Sequence, residues 1–152
     1  MKAVIQRVSQ AEVRIDEELV GQCGYGMLIF LGASKKDAKA DAEKLALKIA
    51  SLRIFSDAEG KMNLALSDLP LQDEPQILVV SNFTLYGDVT KSRRPSFIEA
   101  APYEKGKVLY ENFLNDLRSR GLKVETGLYG ADMQVELIND GPVTFVIESS
   151  GR

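Results

Sequence analysis

Met27-Leu28-Ile29-Phe30-Leu31 and Ile77-Leu78-Val79-Val80 are the longest unbroken apolar runs in a chain of 152 residues. Neither alternates with polar residues, as expected of strands buried on both faces, and four or five residues is strand length rather than helix length. Gly24-Tyr25-Gly26 breaks the chain before the first run, and the second turns abruptly polar at Ser81. Two central strands of one sheet are the expectation, and the rest of the chain is read around them.

Upstream, Ala3, Val4, Ile5 and Val8 surround Gln6 and Arg7, and then Ala11, Val13 and Ile15 alternate with Glu12, Arg14 and Asp16. This period of two predicts a half-buried strand. Glu17-Glu18 reads as a turn, with a short returning strand over 19–23. Between the central strands, Ala38, Ala42, Leu45, Ile49 and Leu52 recur at spacings of four and three, which puts them on one helical face. Ser34, with Asp37 three residues on, predicts a capping box for that helix. Arg53-Ile54-Phe55 reads as a strand, Asp57-Ala58-Glu59-Gly60 as a turn, and 64–75 as irregular.

Downstream, 76–83 is the second central strand and 87–95 a basic loop. A second helix is expected over 102–120, with Pro102 in its first turn, Leu109, Tyr110, Phe113, Leu114 and Leu117 on its apolar face, and Gly121 as its stop. A short strand follows over 122–126. Met133, Val135 and Leu137 then alternate with polar residues, Asn139-Asp140-Gly141-Pro142 reads as a hairpin turn, and 143–147 is a last strand. No repeat or linker divides the chain, so one domain over 1–152 is expected. Its class is α/β, a three-layer arrangement of two mainly antiparallel β layers with two helices packed on one side.

Composition excludes several chemistries. There is no histidine, which removes the Ser-His-Asp triad, the Cys-His dyad and the HExxH zinc site. A single cysteine, Cys23, allows no intrachain disulfide, and in its apolar strand context it reads as a small buried hydrophobe. The apolar runs are far too short for a membrane helix and Met1-Lys2 opens no signal core, so a cytoplasmic protein with no membrane partner is the expectation. Net charge is −3, which disfavours non-specific coating of nucleic acid. Lys91, Arg93 and Arg94 form the dense basic cluster of the middle of the chain, so any nucleic-acid contact should be local. Gly21, Gly24 and Gly26 open no helix and make no phosphate fingerprint. Asp16, Glu17 and Glu18 read as solvated turn charges.

Two segments invite a functional reading. In Ser81-Asn82-Phe83-Thr84-Leu85 a buried strand ends in polar residues, which occurs both at strand-ending turns and at sites. Asn139-Asp140-Gly141-Pro142-Val143-Thr144 is a turn signal whose Gly–Pro bond would be trans on base rates, since only about 5–6% of such bonds are cis.

Taken together, the segments resemble one family, the D-aminoacyl-tRNA deacylases, also called D-tyrosyl-tRNA deacylases. The resemblance runs from Met1-Lys2-Ala3-Val4-Ile5-Gln6-Arg7-Val8 through Leu52-Arg53-Ile54-Phe55, Val80-Ser81-Asn82-Phe83-Thr84-Leu85-Tyr86 and Lys91-Ser92-Arg93-Arg94-Pro95-Ser96-Phe97. It ends in Gly127-Leu128-Tyr129-Gly130-Ala131-Asp132-Met133 and Asn139-Asp140-Gly141-Pro142-Val143-Thr144. Asn82 departs from the family's glutamine and is one methylene shorter. Ser92 stands where glycine is common.

The resemblance implies a homodimer that hydrolyses the ester between a D-amino acid and the 3′-terminal adenosine of tRNA, without metal or cofactor, at an active site shared between subunits. By the same resemblance Ser81, Asn82, Phe83 and Thr84 are catalytic, and the N–H groups near Phe83 and Thr84 stabilise the oxyanion. Gly141 and Pro142, cis in the family, reject L substrates, supported by Arg7 and Met133. Phe83, Lys91, Arg93, Arg94, Pro95, Ser96 and Phe97 contact the tRNA, with Phe83 stacking on the terminal adenine. Two roles stay open for Thr84, nucleophile or pocket residue. Two other readings also stay open: a non-catalytic nucleic-acid-binding module, and an editing enzyme for wrong L-amino acids if Gly141–Pro142 is trans.

Overall fold

The computed structural model describes residues 1–70 and 73–150. The chain enters as β1 (Lys2–Ile15), returns as β2 (Glu18–Cys23) and continues as β3 (Gly26–Gly32). Helix α1 (Lys39–Ala50) follows, then a small hairpin of β4 (Phe55–Ser56) and β5 (Met62–Leu64). Next come β6 (Ile77–Ser81), a 3-10 turn (Phe83–Tyr86), helix α2 (Tyr103–Ser119), β7 (Val124–Thr126) and β8 (Gln134–Glu148). The irregular stretch expected over 64–75 holds a short 3-10 turn at Leu66–Asp68. Its residues 71 and 72 lie outside the described residues.

Both apolar runs are central strands, in a six-stranded sheet ordered β2-β1-β3-β6-β7 with β8 along β1. The pairings of β1 with β2, β3 and β8 are antiparallel, as expected for most of the sheet. Those of β3 with β6 and of β6 with β7 are parallel. Each parallel pair is joined by a crossover that contains a helix, and a crossover of one hand places α1 and α2 on the same face.

Alternate residues of the central strands feed two cores. Met27, Ile29, Leu31, Ile77 and Val79 pack with Ala42, Leu45 and Ile49 of α1 and Leu109, Phe113 and Leu117 of α2. Leu28, Leu78 and Val80 face the other way, onto Val8, Ala11, Val13 and Cys23. Full burial of each of the larger aliphatic side chains contributes about 1.5–3 kcal/mol. One curved sheet therefore supplies both β layers. Where β2 folds over β7, a Cβ on Gly21 would collide with the Thr126 carbonyl, so only glycine permits the approach.

A bulge lets β1 serve both cores. Ala3 and Ile5 face the helices and Val8 faces the second core, as period two requires. Ala11 and Val13 would then face the helices again. However, Val8 pairs with Asn139 and Gln10 with Ile138, so Ser9 is an extra residue that inverts the strand.

Three local expectations are corrected. The β1–β2 turn is centred on Asp16 (φ 48°) and Glu17 (φ 69°) rather than on Glu17-Glu18. Helix α1 starts at Lys39, not behind Ser34: the bond expected from the Ser34 N–H to the Asp37 carboxylate is present (2.6 Å), but it closes a turn ahead of the helix, and the Met1 ammonium also holds that carboxylate (2.7 Å). The helix is capped instead by Asp41, whose carboxylate accepts from the Ala38 N–H at 2.9 Å. Finally, Asn139-Asp140-Gly141-Pro142 is no hairpin turn. The 14 residues of β1 are enough to pair with both halves of β8, so the polar segment bulges out of one continuous strand instead of reversing it.

Candidate functional site

The parallel strands β3 and β6 end side by side, and the Asn82 N–H extends their ladder to the Leu31 carbonyl at 2.8 Å. Ligand sites of sheets with parallel strands commonly lie beyond such C-terminal ends. Here they open into a cavity of about 540 Å³. Its floor is Gly32, Ala33, Ser81, Asn82 and Phe83, one wall is Tyr103, Gly106 and Tyr110 from the start of α2, and the other is the 129–133 segment. Tyr103, Tyr110 and Tyr129 form a continuous aromatic wall, with ring centroids 5.3 and 5.4 Å apart. The Tyr110 hydroxyl donates to the Val79 carbonyl at 2.9 Å. Burial raises the pKa of both the Tyr110 and Tyr129 hydroxyls, so neither supplies a phenolate at neutral pH.

Of the residues expected to be catalytic, Ser81, Asn82 and Phe83 line the cavity and Thr84 does not. Thr84 is exposed in the 3-10 turn, and its hydroxyl donates to Asn82 Oδ1. The shorter Asn82 side chain is thus turned back onto the turn. That turn begins at Phe83 and its first internal bond is Leu85 N–H to the Asn82 carbonyl, which leaves the Phe83 and Thr84 N–H groups without an acceptor in the turn. Lys2 holds the turn in place: its Nζ lies 3.5 Å from the Leu85 carbonyl and 5.1 Å from the centre of the Tyr86 ring.

Phe83 is 57% exposed and packs edge to face with Phe97, their ring centroids 5.1 Å apart. Phe97 therefore buttresses Phe83. Lys91, Arg93, Arg94 and Pro95 are exposed, on a loop closed at its base by paired main-chain bonds between Asp88 and Ser96 of 2.8 and 2.9 Å. The basic loop reaches the cavity through this Phe83–Phe97 contact.

The expected chiral-selection residues separate. Arg7, Gly141 and Pro142 sit together. Between the pairs Gln6–Thr144 and Val8–Asn139, residues 140–143 bulge out opposite Arg7 alone, and Gly141 and Pro142 are exposed at the tip. The Gly141–Pro142 peptide bond is cis, against the base rate. Buried Arg7 reaches the Ile54 carbonyl (2.7 Å), the Asp140 carbonyl (3.2 Å) and the Asp140 carboxylate (2.8 Å), so it is no free strand charge. Met133 is elsewhere: it lines the cavity beside Val135. Eight positions along the chain separate it from Gly141, a contour of about 26 Å at strand rise, and none of the bonds that hold the bulge in one chain involves it. Arg7 likewise pairs with Met27 at the start of β3, whereas the cavity opens at Gly32, which pairs with Lys2. Five strand residues, roughly 17 Å, separate the two constellations.

The sequence reading missed Lys2, Tyr103 and Tyr110 as site residues. By spacing Tyr110 belongs to the apolar face of α2. The signal was the spacing of seven from Tyr103, two helical turns, which places both rings on one side. Among the described residues no group of three or more metal-ligating side chains occurs. No described helix is long and apolar enough to cross a membrane. The cavity lining holds one carboxylate, Asp132, and no lysine or arginine. Such a site offers main-chain donors, hydroxyls and aromatic faces, which suits binding and oxyanion stabilisation better than proton abstraction.

Comparison with known proteins adds to this geometry. Residues 4–148 match the family described as D-Tyr-tRNA(Tyr) deacylase. A D-aminoacyl-tRNA deacylase of Thermotoga petrophila is 53% identical over 150 residues, covering 99% of this chain and 98% of its own. One of Geobacter sulfurreducens is 51% identical over 152 residues, covering 100% and 97%. Among solved structures, a c-Myc DNA unwinding element binding protein superposes with a TM-score of 0.88 at 39% identity, covering 97% of this chain and 98% of that one. A probable eukaryotic D-amino acid tRNA deacylase does so with a TM-score of 0.81 at 18% identity, which speaks for the shared fold.

Proposed function

Because the chain belongs to the D-Tyr-tRNA(Tyr) deacylase family, we propose that it hydrolyses the ester of D-aminoacyl-tRNA to free D-amino acid and tRNA and spares L-aminoacyl-tRNA. The observation that carries this reading is the cavity: the Phe83 N–H at the head of a 3-10 turn, with no acceptor in that turn, an aromatic wall, and Asp132 as the one carboxylate of the lining. An aminoacyl ester is already activated, and the neighbouring ribose 2′-hydroxyl positions the attacking water. The protein then supplies placement and oxyanion donors, each worth about 2.7–4 kcal/mol in acyl-transfer sites. The Phe83 and Thr84 N–H groups are those donors. Phe83 stacks on the terminal adenine, and Lys91, Arg93 and Arg94 hold nearby phosphates.

Chirality is handled by exclusion. A pocket selecting one apolar shape discriminates only about 10–200-fold. A rigid main-chain wall does better, and residues 141–142 are the candidate wall: both are exposed, Gly141 has no side chain, and their carbonyls would meet the substrate ammonium. The roughly 17 Å between this wall and the cavity in one chain supports a homodimer in which each subunit's bulge enters the other's cavity, where Met133 would meet it. Exclusion by sterics also implies broad tolerance of D side chains and hydrolysis of the achiral glycyl ester.

The deciding experiment compares D-tyrosyl-, L-tyrosyl- and glycyl-tRNA hydrolysis under single-turnover conditions. Cleavage of the D and glycyl esters with the L ester spared is expected. Equal cleavage of both enantiomers would overturn the reading, and tRNA binding without cleavage of any ester would favour a binding module.

A further inference from the structure

Asn139 stands at the neck of the β8 bulge. Its carboxamide nitrogen donates to the Arg7 carbonyl on β1 (2.9 Å) and to the Val143 carbonyl where the bulge re-enters the strand (3.2 Å). One side chain thus ties the outgoing leg, the returning leg and the neighbouring strand. Its carboxamide oxygen lies beneath the tip, where a Cβ on Gly141 would stand 2.5 Å away. The tip has no side chain with which to anchor itself through hydrogen bonds, because Gly141 has none and Pro142 carries only its ring and lacks an N–H. Arg7 fixes the bulge through Asp140 only.

We infer that Asn139 is a positioning residue for chiral discrimination, setting the direction in which Gly141 and Pro142 project. The inference rests on the proposed reading that this projection excludes L substrates. A steric filter works only while its wall stays put, and a displacement of about 1 Å at a reacting site is worth on the order of 100-fold in rate. Freed at the neck, the tip would give way to an L side chain.

The test measures single-turnover hydrolysis of D- and L-tyrosyl-tRNA by the full-length wild type, Asn139→Ala and Asn139→Asp, with each variant's melting temperature. The aspartate keeps the side-chain shape and loses the donor, so it carries the test should the alanine variant not fold. The D-to-L ratio is expected to fall by about tenfold or more in the folded variants. A merely structural role would lower the melting temperature and both rates together, and a ratio within about twofold of wild type would overturn the inference. A wild type that cleaves both enantiomers equally would instead remove the reading beneath it, and the inference with it.

Discussion

Arg7 and Asp140 are joined twice: the Arg7 Nε lies 3.2 Å from the Asp140 carbonyl and 2.8 Å from its carboxylate. The two ends differ in burial, the Arg7 side chain being 10% exposed and that of Asp140 40%. Arg7→Ala also strips the buried Ile54 carbonyl of its donor, and an orphaned buried acceptor alone costs about 1–3 kcal/mol. Asp140→Ala removes a half-exposed partner but leaves the guanidinium the Ile54 and Asp140 carbonyls, so it should cost less than Arg7→Ala. Urea unfolding of the two variants checks the asymmetry. Equal losses would mean that the Ile54 bond contributes nothing.

Cys23 should behave as a core residue. Burial pushes its thiol up to about 12, and nearby Glu125 and Glu74 add to the rise against main-chain bonds from Ala11 and Leu78. At pH 8 the native protein then presents almost no thiolate, the form that reacts. Alkylation should be slow in buffer and accelerate with urea in step with unfolding. Fast labelling of the folded protein would show that the second core opens locally.

What was legible in the sequence follows the range of the forces involved. The central strands announce themselves because burial on both faces forbids polar residues, and Leu109, Phe113 and Leu117 mark α2 by spacing alone. The start of α1 escapes the local pattern because the Ser34–Asp37 pair forms its expected bond in a turn ahead of the helix, a turn that the Met1 ammonium pins from across the fold. The bulge is not legible locally because Asn-Asp-Gly-Pro has turn composition, and the distant pairing with β1 keeps the strand running. At the site, Ser81 and Asn82 stood out as polar residues ending an apolar strand. Their roles, and that of the 141–142 tip, came from resemblance, since no local pattern says that two constellations at opposite ends of β3 act together.

Asp41 makes stability depend on acid. The Ala38 N–H first, then the Ser149 hydroxyl and nearby positive charge, hold its carboxyl below the usual range. A group whose folded pKa is depressed stabilises above its unfolded pKa of about 3.9 and loses that contribution as pH falls through the folded value. Asp41→Ala should cost about 0.5–2 kcal/mol at pH 7, as lost caps do. The gap from wild type should narrow below about pH 4. Chemical denaturation at pH 7 and pH 3 measures it, and a gap that widens in acid would reverse the sign.

Thr84→Ala separates the two chemical roles. The Thr84 hydroxyl donates to a carboxamide oxygen, which is no base, and the residue lies off the cavity lining. Turnover should therefore fall by less than about tenfold, since a removed nucleophile typically costs several orders of magnitude. Loss of about 1,000-fold in kcat with KM unchanged would make Thr84 the nucleophile.

Salt should weaken tRNA binding only gently. Three exposed cations, Lys91, Arg93 and Arg94, stand on the loop beside Phe83, and single-stranded contacts contribute about −0.7 each to the slope of log affinity against log salt. A slope near −2 is expected, with the triple glutamine variant moving toward zero. Phe83→Ala should behave differently, because stacking worth about 1–3 kcal/mol carries no counterion: affinity drops at every salt concentration while the slope stays. A wild-type slope steeper than about −5 would demand phosphate contacts well beyond this loop. A changed slope in Phe83→Ala would mean that the ring's main task is to hold the basic loop through Phe97.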